Sequence, residues 1–314
     1  MTQAPAPSAD TVRRLVRSLL KESGDRNGTD GGPDVRPVTE GRAYTWWVGT
    51  RHVLRLAPDP EASVRRRREL RLRDIVRPHV PVTVPVSVGH GDWSPGLACT
   101  LDTKVPGGTT DINDVSALGE ADLAGLLTGL RAVPVRQAEA LGVPRTAPRS
   151  LEALRRMAVH AAERLGTADE FDPARLHQLT SPGAVQLAAQ PGSAVLTHHG
   201  LTGDHVVVSA DGRVRGILDW TRTAVGDPAE DIAGLALAVG SPAAVRAATL
   251  AGYGARPCLR GLWLARCDTV LRLADHLAGR TPGSLSLLRT QLRHAWEPIL
   301  LERVTDLKDE ESEL

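Results

Sequence analysis

Apolar positions near the start of the chain follow a helical period. Residues 11–22 carry Val12, Leu15, Val16, Leu19 and Leu20 on one face, behind a Ser8-Ala9-Asp10 cap, which predicts an amphipathic helix. Gly, Asp and Pro in residues 23–33 end it. Residues 36–38, 45–49 and 52–56 then read as three strands of a small antiparallel sheet, and residues 61–76 as a helix. Residues 80–88, VPVTVPVSV, alternate Val with Pro and polar residues, which suits an edge strand or an extended connector. A further strand over 97–103 is broken by Lys104-Val105-Pro106-Gly107-Gly108.

From Val115 onward the pattern is helical with short breaks, predicting helices over 119–132, 151–165, 173–179 and 183–189, and later over 230–239, 242–252, 259–278 and 284–304. Between these two groups lies the stretch with the densest set of acidic and histidine side chains, residues 195–233. Two short Val-rich runs, 206–208 and 214–218, are joined by Ala210-Asp211-Gly212, and Asp-Gly between apolar runs is a strong hairpin signal. The hairpin carries Asp204 and His205 at its mouth and Asp219 at its far end. The ends of a short hairpin lie side by side, so Asp219 is expected beside His205. A carboxylate beside a polar loop residue suits Mg²⁺, which takes oxygen ligands and leaves other positions to water and phosphate.

Composition narrows the picture. A chain of 314 residues is long enough for two lobes with their own cores. A net charge of +1 makes no global case for a nucleic-acid partner or a membrane surface. With one Phe, two Tyr and six Trp, the core must rest on Leu, Val and Ala. Cys99, Cys258 and Cys267 are too scattered for a disulfide framework or zinc ribbon and read as buried thiols. Residues 1–10 lack the basic and apolar regions of a secretory signal, and the run 232–239 is far short of the roughly 20 residues that span a bilayer, so a cytoplasmic protein is expected. Arg65, Arg66, Arg67, Arg68, Arg71, Arg73 and Arg77 crowd one helix, which predicts a solvated surface, with a site for an acidic peptide or other anionic partner as the alternative.

The order of parts resembles the aminoglycoside and macrolide phosphotransferases, whose catalytic loop reads H-G-D-L-x-x-x-N/H ahead of a hairpin and I-D-W or I-D-F. Here His198-His199-Gly200-Leu201-Thr202-Gly203-Asp204-His205 fills the loop, Ile217-Leu218-Asp219-Trp220 the metal-binding segment, and Gly226-Asp227-Pro228-Ala229-Glu230-Asp231 the downstream G-D-P-x-x-D, bracing the loop. The resemblance implies a two-lobed protein-kinase-like α+β fold. It divides the chain into a disordered lead-in (1–10), a small β-rich nucleotide-binding N-lobe (11–105), a larger α-helical C-lobe for catalysis and acceptor binding (106–305), and an acidic tail (306–314). It implies ATP or GTP with Mg²⁺ held by Asp219 and His205. Arg55 stands in the place of the phosphate-binding lysine, with Glu69 on the next helix as its partner. Gly41, within Glu40-Gly41-Arg42, falls where such folds place a phosphate-covering turn, and reads equally as an ordinary hairpin turn. Residues 104–108 resemble the hinge that meets the base. The late-helix residues Trp263, Asp268, Arg272, Asp275 and His276 are acceptor-pocket candidates that packing and pairing explain as well.

One position departs from the pattern. The family's third loop residue is an aspartate that orients the acceptor hydroxyl, and here it is Gly200. Phosphoryl transfer relies mostly on positioning and charge neutralisation, and a general base contributes about 10²–10⁴-fold, so activity survives its loss in principle. Asp204, His199 or His198 are the candidate replacements, although the first histidine of such loops usually fastens the loop to the metal-binding segment. Two readings follow. One is a phosphotransferase moving the γ-phosphate to a hydroxyl of a small natural product or a peptide Ser/Thr. The alternative is a pseudokinase that binds nucleotide, peptide or a partner enzyme as a scaffold.

Overall fold

Helix α1 (Ala9–Glu22) buries Val12, Val16 and Leu19, the stripe its sequence predicts, in the smaller of two hydrophobic cores. The computed structural model describes residues 4–22, 34–38 and 44–299. The core under α1 is completed by a five-stranded antiparallel sheet of β1 (Val35–Pro37), β2 (Thr45–Val48), β3 (His52–Leu56), β4 (Ser87–Ser94) and β5 (Leu97–Thr103), in the order β1-β2-β3-β5-β4. Trp46, Val48, Leu54, Leu56, Cys99 and Leu101 supply its buried face. Helix α2 (Pro60–Val76) follows β3, with Pro60 in its first turn and the Asp59 carboxylate accepting from Ala62 N at 2.7 Å.

Strand β4 has no sequence counterpart beyond its first two residues. Two glycines, His90 and Asp92 hide any two-residue period, and the strand pairs with β5 from the sheet edge through register shifts near Gly89 and Ser94. Residues 80–86 are connector. Val80, Val82 and Val84 leave the small sheet and join the larger core.

Past residues 104–107 the chain enters a second unit: β6 (Gly108–Thr109), α3 (Ala117–Ala132), α4 (Val135–Ala140), α5 (Leu151–Thr167), α6 (Ser181–Gln186), β7 (Val195–Thr197), β8 (Val206–Val208), β9 (Val214–Ile217), β10 (Ala224–Gly226), α7 (Ala229–Val239), α8 (Ser241–Leu250), α9 (Ala255–Leu277) and α10 (Leu285–Ala295). The sequence carries no sign of α4, because six residues after a proline show no period. α10 stops at Ala295, short of the expected 304, and the end of that reading lies outside the described residues, as do the loop 23–33, Gly41 and the tail. The hairpin forms as its Asp-Gly predicts: β8 pairs antiparallel with β9, Val206 opposite Ile217, while β6 pairs with β8 and β7 with β10. All three cysteines are buried and outside any disulfide. Among the described residues, no helix is long and apolar enough to cross a membrane.

Candidate active site

The site grows from the hairpin's two ends. His205 precedes β8 and Asp219 follows β9, and their side chains meet with Nε2 3.6 Å from Asp219 Oδ2. The connector holds this hairpin from outside: Thr83 N donates to Arg215 O and Ile217 N donates to Thr83 O, both at 3.0 Å. So close an approach needs Gly216, where a Cβ would stand 2.6 Å from the Thr83 carbonyl.

Asp219 adopts a left-handed backbone, φ 58° and ψ 73°, and caps the short 3₁₀ turn Trp220–Arg222. Its Oδ1 accepts from Thr221 Oγ1 at 2.6 Å. Burial by itself would raise this carboxyl, but Arg55 foremost, then Thr221, His205 and Arg66, hold it well below the usual carboxylate range. It is therefore an anion at neutral pH. His205 Nδ1 lies 2.7 Å from the Gly200 carbonyl, which can only accept, so Nδ1 carries a hydrogen. In the neutral ring the Nε2 lone pair then faces Asp219 and, at 3.7 Å, Asp204 Oδ2. Among the described residues no group of three or more His, Cys, Asp or Glu is arranged to hold a metal alone. A divalent ion here would have an Asp219 carboxylate oxygen and the His205 Nε2 as its protein donors; the carboxylate fits the oxygen ligands Mg²⁺ takes, and the imidazole nitrogen is the softer partner.

The loop 198–205 is pinned from beneath. Asp231 in the first turn of α7 accepts from His198 N at 2.7 Å and His199 N at 2.8 Å, and burial pushes its carboxyl up to about 7. Asp227 accepts from Ala229 N at 3.0 Å and from Arg260 Nε at 2.6 Å in a buried ion pair. His198 is wholly buried, donates from Nε2 to the Leu218 carbonyl at 3.0 Å and meets the Trp220 ring edge-on at 4.7 Å. Burial above all, with His205 adding, drives its pKa down to about 3, so it is a neutral clamp between the loop and the Asp219 segment. His199 takes φ 59° and feels Glu230, Arg222 and Arg149 rather than Asp219. Asp204 keeps 41% of its side chain exposed and accepts from Thr202 Oγ1 at 2.6 Å. Gly200 has no positive φ, so the loop owes its shape to His199 and the clamp rather than to glycine's freedom.

The sheet contributes the opposite wall. Arg55 on β3 stands 3.9 Å from Glu69 Oε1 and 4.0 Å from Asp102 Oδ2, outside hydrogen-bond range of both. The pairing expected between Glu69 and Arg55 is thus loose. The nearest partner of Glu69 is Arg73, one turn further along α2, and Arg73 also bonds Asp102 at 3.0 and 3.3 Å, all three side chains being buried. Glu69 Oε1 accepts from Trp220 N at 3.1 Å as well, tying α2 to the residue after Asp219. Arg68 reaches the Thr221 carbonyl at 3.2 Å. The solvated arginine face expected for α2 does not hold at Arg73, buried against Glu69 and Asp102, nor at Arg66, only 14% exposed beside Glu69, while the half-buried Arg68 reaches the Gly142 and Thr221 carbonyls of the larger lobe. An i, i+4 Glu-Arg spacing was a usable signal for Arg73. Asp102 had none, because β5 is buried on both faces and shows no alternation.

The late-helix candidates do not gather here. Trp263 is buried against Trp296, Asp268 pairs with Arg149 at 2.8 Å, Asp275 pairs with Arg280, and His276 bonds the Thr281 carbonyl.

An antiparallel sheet and a mainly helical lobe, joined where an anionic Asp219 faces a cationic β3 side chain, define a protein-kinase-like fold. The sequence profile of the phosphotransferase enzyme family matches residues 34–262, and the chain belongs to that family. Solved structures agree on the fold. The GDP complex of aminoglycoside 2'-phosphotransferase-IIIa superposes with a TM-score of 0.63 at 19% identity, covering 90% of this chain and 98% of its own. The macrolide 2'-phosphotransferase of Brachybacterium faecium gives 0.57 at 21% identity over 92% and 99%. A ternary complex of streptomycin, ATP and a 2"-phosphotransferase gives 0.57 at 11% identity over 91% and 99%. No curated protein sequence matches the chain.

Proposed function

We propose that this member of the phosphotransferase family transfers the γ-phosphate of ATP or GTP to a hydroxyl of a small natural product or a peptide Ser/Thr, in the cytoplasm. The observation that carries the reading is the meeting of Asp219 and His205 at 3.6 Å, with Arg55 as the strongest cationic influence on Asp219. Arg55 binds phosphate oxygens, and the base lies against residues 104–108. Asp219 and His205 are the residues that would hold a divalent cation, which would supply neutralisation of the charge developing on the phosphates. The acceptor oxygen attacks the γ-phosphorus, the bond to the bridging oxygen breaks, and the nucleoside diphosphate leaves. The hydroxyl proton passes to Asp204, the carboxylate beside His205 that remains partly exposed. His198 is sealed and takes no part in proton transfer.

Gly200 favours a second reading, a nucleotide-binding scaffold without transfer, because no carboxylate is offered at the third loop position. Nucleotide titration with and without Mg²⁺, followed by a turnover assay on the same sample, separates the two. The enzyme reading expects Mg²⁺-dependent binding that Asp219→Asn abolishes, and turnover that Asp204→Asn lowers by about 10²-fold or more. Asparagine suits residue 219 because it tolerates φ 58°. Unchanged Mg²⁺-dependent affinity in Asp219→Asn sinks the site assignment. Tight binding with no turnover on antibiotic or peptide acceptors selects the scaffold.

A further inference from the structure

Arg66 lies on α2 one turn before Glu69, with 14% of its side chain exposed. Its Nε and Nη1 are buried and have no hydrogen-bond acceptor among the described residues, and Glu69 Oε2 likewise has no donor. The nearest approach, Nη1 to that oxygen, is 3.5 Å. An arginine holds five N–H donors in a rigid fork, and burying donors without acceptors is unfavourable unless something else satisfies them. Burial, opposed chiefly by Glu69, pulls the guanidinium below its ordinary pKa, which marks a cation short of partners.

The shortage follows from how the wall is assembled. Arg73 takes Asp102 and Glu69 Oε1, and Trp220 N takes the same Glu69 oxygen. Asp102 and one oxygen of Glu69 are thereby committed, while Arg55 and Arg66 stand beside these carboxylates without a hydrogen bond to them. Both also act on Asp219 across the junction, helping to keep it ionised. Two guanidinium groups that flank Glu69 at 3.9 and 3.5 Å without a hydrogen bond to it, and that both act on Asp219, offer forks that phosphate oxygens complement, since a fork matches two oxygens of one phosphate.

We propose that Arg66 is a second phosphate-binding residue, forming with Arg55 a two-guanidinium clamp on the polyphosphate of a nucleoside triphosphate. This rests on the phosphotransferase reading and adds to it a cation on α2, a helix otherwise assigned only the carboxylate Glu69. Arg66 then governs affinity for the phosphates and not for the base.

The test compares Mg²⁺-ATP and Mg²⁺-GTP with the unphosphorylated nucleosides by titration calorimetry, using full-length wild type, Arg66→Gln, Arg66→Lys and Arg55→Gln. Arg66→Gln is expected to weaken triphosphate binding about 10- to 100-fold and leave nucleoside binding unchanged, since a charged hydrogen bond is lost only where phosphate is present. Arg66→Lys keeps the charge and loses the fork, so it should fall between, and it serves if the glutamine variant misfolds. Triphosphate affinity unchanged in Arg66→Gln and Arg66→Lys, while Arg55→Gln weakens it, overturns the clamp and leaves the phosphotransferase reading standing. Equal weakening for nucleoside and triphosphate overturns it too, because Arg66 then only supports the fold through Glu69. Wild type that binds neither triphosphate overturns the parent reading and this inference together.

Discussion

Gly200 sits in ordinary backbone space, where an added Cβ would stand 3.7 Å from His198 Nδ1 and 3.8 Å from Arg222 Cδ. A Cβ therefore fits at ordinary van der Waals distance, and replacing a glycine without positive φ restricts the unfolded chain and does not strain the backbone. Gly200→Asp should raise turnover by about 10²-fold or more with a true acceptor, at unchanged or slightly higher stability. Turnover that stays at background in a well-folded variant argues for the scaffold. At His198 the effect is on pH. Its folded pKa of about 3 lies below the ordinary 6.5, so between those values the unfolded chain binds a proton that the folded one refuses. The stability tied to neutral His198 is present above pH 6.5 and falls as pH drops towards 3, by up to about 1.4 kcal/mol per unit. Against His198→Gln, which has no such proton to lose, the wild type should lose stability over that window; parallel pH curves in denaturant unfolding would refute the buried neutral assignment.

At the scale of elements, α2 is held to its surroundings by Leu72 and Val76 in the larger core and by a buried charge network. Arg73, Glu69 and Asp102 are each no more than about 2% exposed, so they interact without solvent screening. Removing Arg73 takes away the one cation that hydrogen-bonds both buried carboxylates, with Arg55 and Arg66 left at 3.5–4.0 Å from them. Arg73→Met should cost about 3–5 kcal/mol in denaturant unfolding, and adding Asp102→Asn should recover part of it, because one of the stranded charges is gone. Equal stability of Arg73→Met and wild type would show that the network relaxes into water. The sequence placed α1, α2, β3, β5 and the β8–β9 hairpin because each carries a clear period or an Asp-Gly turn. It missed β4, whose glycines and polar residues have no period and are ordered by the hydrogen bonds of β5.

Across the whole molecule, two hydrophobic cores meet through polar ties: Trp220 N to Glu69, Arg68 to Thr221, and Thr83 to the hairpin. A ligand gripping both lobes stabilises the folded chain by mass action. Mg²⁺-nucleotide at 100 times its Kd should raise the melting midpoint by roughly 5–10 °C, and Asp219→Asn should erase the Mg²⁺-dependent part of that rise. A shift in wild type that is indifferent to Mg²⁺ would detach the metal from the site. The adjacency of Asp219 and His205 was legible from sequence, since a two-stranded hairpin brings its own ends together over a few residues. So was the bracing of the loop by Asp231, given the family pattern. The division of labour among the arginines was not. Seven similar side chains in 13 residues look alike in one dimension, and only packing against β5 and the Trp220 turn decides which are buried. The same holds for His198, whose charge state follows from complete burial against Trp220, and for Asp102, which acquires its role by facing Arg73 from a strand distant in sequence. Local periodicity and turn chemistry determined the elements and the hairpin pair; burial and long-range charge pairing, which depend on what the fold sets opposite each side chain, decided which residues brace the site and which keep unfilled hydrogen-bonding groups.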